Sequence, residues 1–208
     1  MAGKTDNKLI TIILAIIILI AIVTIVYINL PEEETKEDDT SGQDTNNNNT
    51  TTEDIILSLI YESQDINLTL SELEEFEAYS GSGSYIKTKV LPEVIINGPY
   101  NLTGVNFTTI INQVQNLPEN YNVTVTASDG WSIEYTKDQI NGALDLYNKT
   151  GEITEDGIVT MILAYKEDGE YITDEEVGPL RIAFIGDNAI TSSSLWLKMV
   201  ESIEIIEV

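Results

Sequence analysis

The chain contains no cysteine and no histidine among its 208 residues. These two absences exclude disulfides, thiolate or imidazole catalysis, zinc sites built from Cys and His, and iron–sulfur clusters held by this chain alone. A Ser-His-Asp triad is excluded for the same reason. We therefore predict no catalytic residue and no metal site.

Basic residues are also few, since 10 Lys and Arg stand against 35 Asp and Glu and the formal net charge is −25. Nucleic-acid binding depends on clustered Lys and Arg that neutralise phosphates, so the composition excludes nucleic acid as a partner. The same net charge disfavours anionic substrates. It predicts a solvated, self-repelling surface that keeps an outer domain soluble.

An uncharged run from Leu9 to Leu30 predicts a single-pass protein of the cell membrane, with the lipid bilayer as its partner. A helix of this length spans roughly 33 Å, enough to cross a hydrocarbon core of about 30 Å. A cleaved secretory signal is the alternative, but the run exceeds the usual length of about 7–15 apolar residues and lacks a small-residue cleavage site. The flanking Lys4 and Lys8 place residues 1–8 in the cytoplasm and the remainder outside.

The composition changes twice beyond this transmembrane anchor. Residues 31–54 hold nine acids, one lysine and no large apolar side chain, so they are predicted to form a disordered acidic stalk. Residues 55–208 are predicted to form one extracytoplasmic domain. Seven Asn-x-Ser/Thr sequons predict a glycoprotein, and they begin at Asn48, Asn49, Asn67, Asn101, Asn106, Asn122 and Asn148.

Hydrophobic periodicity in the domain indicates more strands than helices. Strands are predicted over 85–96, 122–127, 131–135, 159–165, 180–185 and 203–208. Short helices are predicted over 71–78, 108–114 and 136–147. Ser71 and Glu74 would form a capping box for the first helix, and Gly81-Ser82-Gly83 would break it. The predicted fold class is a mixed α+β domain around a β-rich core.

Several motifs in the domain resemble, in their order, those of one known family. In order, they are Leu102-Thr103-Gly104-Val105, the segment from Val123 to Trp131, Ile162-Leu163-Ala164-Tyr165, Gly178-Pro179-Leu180-Arg181, and Lys198 before Ile203-Glu204-Ile205. The sequence of motifs is similar to the oxidoreductase molybdopterin-binding domain of the sulfite oxidase type. The likeness covers roughly residues 66–208, and it implies a β-rich α+β fold in which loops at one edge hold a pterin that carries molybdenum.

The resemblance also implies which residues would lie beside the cofactor. In that family a cysteine thiolate binds the metal, and histidine and arginine side chains help to hold the pterin. Here Pro179, Leu180, Arg181 and Lys198 match, whereas the cysteine and the histidines have no counterpart. Because the soft thiolate sets metal affinity, we expect no bound cofactor, and molybdopterin is implied by the family alone.

Five residues are candidate ligand contacts, namely Arg181, Lys198, Ser128, Asp129 and Trp131. Arg181 could clamp a phosphate or carboxylate, or could pair with an acid as a structural residue, and the abundance of acids favours the second. The same alternatives hold for Lys198. Trp131 and Trp196 could stack on a planar ligand or pack at a rim, and Asp129 is expected to stabilise a turn.

We therefore predict a membrane-anchored, extracytoplasmic protein whose domain is a non-catalytic binding or assembly module. One alternative is a redox protein in which Arg181 and Lys198 hold a pterin while the metal is ligated without thiolate. The other alternative is a glycosylated structural protein of the cell surface.

Overall fold

The computed structural model describes residues 53–88, 93–154 and 159–208. Strands hold 52% of these residues and helices 12%, and no described helix is longer than five residues. The predicted α+β class is therefore wrong, because the domain is a β structure with isolated helical turns. None of the described helices is long and apolar enough to cross a membrane. The predicted anchor at 9–30, the tail at 1–8 and nearly all of the stalk at 31–54 lie outside the described residues.

The described residues form thirteen strands, three one-turn α-helices and one 3-10 turn at Ser193–Leu195. In chain order the strands are β1 (Ile55–Tyr61), β2 (Gln64–Thr69), β3 (Ala78–Thr88), β4 (Ile95–Asn106), β5 (Tyr121–Ala127), β6 (Ser132–Thr136), β7 (Leu146–Tyr147), β8 (Ile153–Thr154), β9 (Thr160–Glu167), β10 (Glu170–Tyr171), β11 (Arg181–Ile185), β12 (Ile190–Ser192) and β13 (Val200–Glu207). The helices are α1 (Leu70–Glu74), α2 (Phe107–Ile111) and α3 (Lys137–Ile140).

The strands form two main sheets and one small ladder. The first sheet has the order β2, β1, β13, β5, β6, in which only the β1–β13 pair is parallel. The second has the order β10, β9, β4, β3, β12, and β11 also pairs with β9. The ladder joins β7 to β8. Both main sheets are thus mixed, because β12 runs parallel to β3.

One hydrophobic core is shared by the two main sheets. In β5 every second residue is buried, as expected for a strand with one face on the core. All five residues of β11 are buried, so this strand has no solvent-facing side. Leu59 of β1, Val125 of β5 and Phe184 of β11 are all fully buried in this core. β11 is therefore enclosed by the protein, and a charged residue on this strand must find its partner inside the protein.

All three predicted helices are shorter than expected, and within two of the predicted ranges the chain continues as a strand. The helix predicted at 136–147 ends at Ile140, and Leu146–Tyr147 instead pair with β8. The helix predicted at 71–78 is α1, whose capping box uses Thr69 and Glu72 rather than Ser71 and Glu74. The helix predicted at 108–114 is α2, which is one turn long.

Five of the six predicted strands are present in the structure. Those at 122–127, 131–135, 159–165, 180–185 and 203–208 are confirmed as β5, β6, β9, β11 and β13, with ends that move by a few residues. The strand predicted at 85–96 is instead the end of β3 and the start of β4, which run antiparallel.

The glycine-serine run that was predicted to break a helix lies inside β3. A Cβ atom on Gly83 would collide with the carbonyl oxygen of Phe184 and would lie 3.2 Å from the Trp196 ring. Glycine is required there because β11 and Trp196 cross β3 at backbone distance. The backbone N–H of Gly186 donates to the carbonyl of Ser82 at 2.9 Å, which joins the end of β11 to β3.

Candidate functional site

Arg181 is the charged residue of the buried strand β11, and it is only 3% exposed. Its Nη1 donates to Oε2 of Glu167 at 2.8 Å. The antiparallel register of β11 with β9 places Arg181 opposite Ala164, so Glu167 at the end of β9 lies within reach. The Glu167 side chain is 32% exposed, whereas that of Arg181 is 4% exposed. The pair therefore has one buried and one partly solvated partner.

Two aromatic rings lie against the guanidinium group, and a third ring packs on both of them. Its Cζ atom lies 5.0 Å from the ring centre of Tyr100 and 5.2 Å from that of Trp196. Tyr85 stacks on Tyr100 at 5.8 Å and lies 5.0 Å from Trp196. We call Arg181, Glu167, Tyr85, Tyr100 and Trp196 the arginine–aromatic cluster.

The cluster draws its members from separate segments of the chain. Tyr85 lies on β3, Tyr100 on β4, and Trp196 directly follows the 3-10 turn. The Trp196 ring is held by a hydrogen bond from its Nε1 to Oγ1 of Thr191 at 2.7 Å, both groups being buried. A buried guanidinium is tolerated when a carboxylate neutralises it and ring faces lie against it. The Nε of Arg181 is buried and has no hydrogen-bond partner among the described residues.

The electrostatics of the cluster keep Tyr100 neutral. Burial, a hydrogen bond with Tyr85 and charge repulsion from Tyr85 raise the pKa of Tyr100 to about 12, although the Arg181 guanidinium acts to lower it. A phenol with this pKa remains protonated throughout the physiological range. Tyr100 therefore offers Arg181 a ring face rather than a phenolate charge.

The residues matched to the molybdopterin family do not fit that cofactor. The guanidinium of Arg181 is enclosed, and the carboxylate of Glu167 beside it would repel a phosphate. Leu180 is fully buried, and Pro179 and Lys198 are exposed. Arg181 is thus enclosed and Lys198 lies on the surface, so the two matched cations have different environments.

The other three candidates lie at the turn between β5 and β6. Asp129 stabilises this turn as expected, because its Oδ1 accepts the backbone N–H of Trp131 at 2.9 Å. Trp131 is 67% exposed and stacks on no other described ring. The N–H of Ser128 donates to the carbonyl of Met199 at 2.9 Å, which brings the turn next to the segment that contains Lys198. The five candidates are thus divided between an exposed turn region and an enclosed ion pair.

Sequence reasoning missed Tyr85, Tyr100 and Glu167 as partners of Arg181. One signal was present, since an arginine that opens an apolar strand needs a buried partner. The sequence offers 35 acids and 10 tyrosines for that role. Only the register of β11 against β9 selects Glu167.

The side-chain amides of the sequon asparagines differ in their hydrogen-bond partners. The Nδ2 atoms of Asn101, Asn122 and Asn148 donate to the carboxylates of Asp168, Glu134 and Glu152, respectively. Asn106 is half-buried, and its Oδ1 caps α2. Asn67 is exposed, and the described hydrogen bond of its side chain is accepted at Oδ1 from Ser58. Asn48 and Asn49 lie outside the described residues.

We expect Asn67 to show the highest glycan occupancy of the five sequons within the described residues. Attachment occurs at Nδ2, which is engaged by a carboxylate at Asn101, Asn122 and Asn148. Glycopeptide mass spectrometry of protein from the native host measures this occupancy. The Asn67→Gln variant should lose the major glycan, and Asn148→Gln serves as the control. Equal occupancy at Asn67 and Asn148 would contradict the expectation.

Comparison with known proteins finds no matching family model and no matching curated protein. The resemblance to the molybdopterin-binding domain therefore stays a prediction that rests on motif order.

Proposed function

We propose that this chain is a membrane-attached protein whose acidic β domain lies outside the cell and acts by binding or assembly rather than by catalysis. The observation that carries the proposal is the enclosure of Arg181, whose side chain is 4% exposed and paired with Glu167. An arginine that binds substrate must present free N–H groups to a cavity. Here the guanidinium instead joins β11 to β9 and to two aromatic rings, so it serves the fold.

The chemistry available elsewhere in the chain supports a binding role. With no cysteine or histidine, nucleophilic and general-base catalysis would fall to carboxylates, lysines or hydroxyls. A carboxylate base requires a pKa raised toward neutrality, usually by burial. Glu74 and Glu152 instead have their pKa values lowered by hydrogen bonds, from Tyr171 first for Glu74 and from Asn148 first for Glu152. Such carboxylates remain charged and solvated.

Membrane attachment is supported by the uncharged run from Leu9 to Leu30 and by Lys4 and Lys8 before it. It is tested by fractionating cells that express the full chain. We expect the protein to stay in the membrane pellet after an alkaline carbonate wash. Protease added to intact cells should remove the domain while a cytoplasmic marker survives. Release by carbonate, or full protection of the domain, would overturn this part of the proposal.

The non-catalytic role is tested by elemental analysis of the full chain purified from its native host. We expect no stoichiometric molybdenum or tungsten and no pterin fluorescence after acid oxidation. A stoichiometric metal together with a pterin would overturn the binding proposal and favour the redox alternative.

A further inference from the structure

A cleft of about 450 Å³ opens beside the glycine-serine run of β3, and no member of the arginine–aromatic cluster lines it. Its polar lining includes Ser82, Ser84, Lys149 and Asn188, and Ile96 and Ile190 contribute apolar surface. The volume lies within the range of about 300–1,000 Å³ that is usual for small-molecule sites. The cleft therefore has the size and the mixed lining of a ligand site.

The charge of this cleft is opposite to that of the chain. Among the described residues that line it there is one lysine and no carboxylate, although the chain holds 35 acids. Three other clefts on the domain are each lined by an aspartate, namely Asp145, Asp168 and Asp187. The net charge of −25 disfavours anions in general, but charges more than about 8 Å away are largely screened at physiological ionic strength. Lys149 is therefore the one charged side chain among the described residues that line this cleft.

Ser84 places a hydroxyl group on the wall of the cleft. The residue is 9% exposed, and its hydroxyl makes no hydrogen bond with any described residue. A Cβ atom on Gly98 would lie 2.9 Å from the Ser84 Oγ, so the absence of a side chain at Gly98 keeps space open next to this hydroxyl. The Ser84 oxygen is not among the side-chain atoms that are buried without a partner, so it reaches the open space of the cleft, where a ligand hydroxyl could pair with it.

Lys149 is held at the cleft by a rigid turn. The Oδ1 of Asn148 accepts the backbone N–H groups of Thr150 at 2.9 Å and of Glu152 at 3.0 Å. Within the described part of the chain Lys149 forms no ion pair. Its ammonium group is therefore available to a ligand, while the backbone that carries it is fixed.

We propose that this cleft binds a small hydroxylated carboxylate of the size of a hexuronic acid. Lys149 binds the carboxylate, Ser84 and Asn188 bind ligand hydroxyls, and the aliphatic side chains contact the C–H face of the ring. Lys149, Ser84 and Asn188 then each meet a complementary group of the ligand. The inference rests on the proposed binding role and adds its ligand class.

The test is a calorimetric titration of the full chain in detergent with glucuronate and, separately, with glucose. These two sugars differ in a carboxylate that replaces a hydroxymethyl group. We expect glucuronate to bind about fivefold more tightly than glucose at low salt, as one exposed ion pair allows, and the preference to shrink at high salt. Absence of binding by either sugar, or equal affinity for both, would overturn the proposal.

Two variants separate the roles of the cleft residues. Lys149→Gln should abolish the preference for glucuronate and leave glucose binding unchanged, and Lys198→Gln is the matched control for an exposed lysine outside the cleft. Ser84→Ala should lower the affinity for both sugars by about tenfold, because each sugar loses the same hydrogen bond. If Lys149→Gln keeps the preference for glucuronate, the proposed role of Lys149 is wrong, whether or not Ser84→Ala folds. Failure of the titration leaves the carbonate extraction and the metal analysis unaffected, so the two proposals fail separately.

Discussion

Replacing Glu167 with glutamine is expected to lower the free energy of unfolding by about 2 kcal/mol. The substitution keeps the shape of the side chain but leaves the guanidinium of Arg181, which is 3% exposed, without a counter-charge. Losing one partner of a fully buried pair costs about 3–5 kcal/mol, and the smaller figure applies because Glu167 is one-third exposed. Urea unfolding followed by circular dichroism measures the change.

Replacing Arg181, the other partner of the pair, should lower the free energy of unfolding by a smaller amount. Arg181→Met removes the buried charge and fills the space with an unbranched apolar side chain, and Glu167 is exposed enough to turn toward water. We expect a loss of about 1 kcal/mol, mainly from the contacts with Tyr100 and Trp196. Glu170→Gln is the control, since this exposed acid should change stability by less than about 0.5 kcal/mol. A larger loss for Arg181→Met than for Glu167→Gln would show that the pair is not held together by charge compensation.

The Gly104→Ala substitution is expected to be still more damaging, at about 3 kcal/mol or more. A Cβ atom at this position would lie 2.5 Å from the Cα of Ala164 and closer still to the carbonyl oxygen of Leu163. Both atoms belong to β9, and the β4–β9 register shifts between Thr103 and Gly104, as at a β-bulge. The backbone cannot yield without loss of the ladder that joins the two strands.

Gly169→Ala is the matched control for this steric clash. Gly169 has a φ of +85°, and nothing lies within 4 Å of its Cβ position. Its replacement should cost about 1 kcal/mol, from backbone strain alone. Denaturant unfolding of both variants compares the two effects. A Gly104→Ala protein with the urea midpoint of the unchanged chain would contradict the close approach of β4 to β9.

Particular segments show what a local pattern can predict in this chain. The strands at 122–127 and 131–135 and the turn at Asp129 were predicted from alternation and turn residues, signals that act within a few residues, and β5 and β6 pair as expected. The glycine-serine run of β3 was misjudged for the opposite reason. Gly81 faces Ile185, and Gly83 faces Phe184 and Trp196. All three neighbours are about one hundred residues away in sequence, so no local pattern contains them.

The contacts of the candidate site also differ in whether a local sequence pattern could predict them. Asp129 was expected to stabilise a turn, and it does so through a contact two residues away. The alternatives for Arg181 stayed open in the sequence, because any of 35 acids was an available partner. The register of β11 on β9 brings Glu167 next to Arg181, so the tertiary structure identifies Glu167 as the partner. Tyr85 and Tyr100 carry no sequence signal that joins them to Arg181.

The sequence by itself determined which chemistry is excluded, because the absence of cysteine and histidine and the excess of acids hold in any conformation. It also carries the membrane proposal, since insertion of an uncharged run depends on that run alone. The tertiary structure decided that Arg181 is enclosed and that one cleft is lined by a lysine and an unpartnered hydroxyl without a carboxylate. Enclosure and cleft lining depend on contacts between distant segments, and a linear pattern does not contain those contacts.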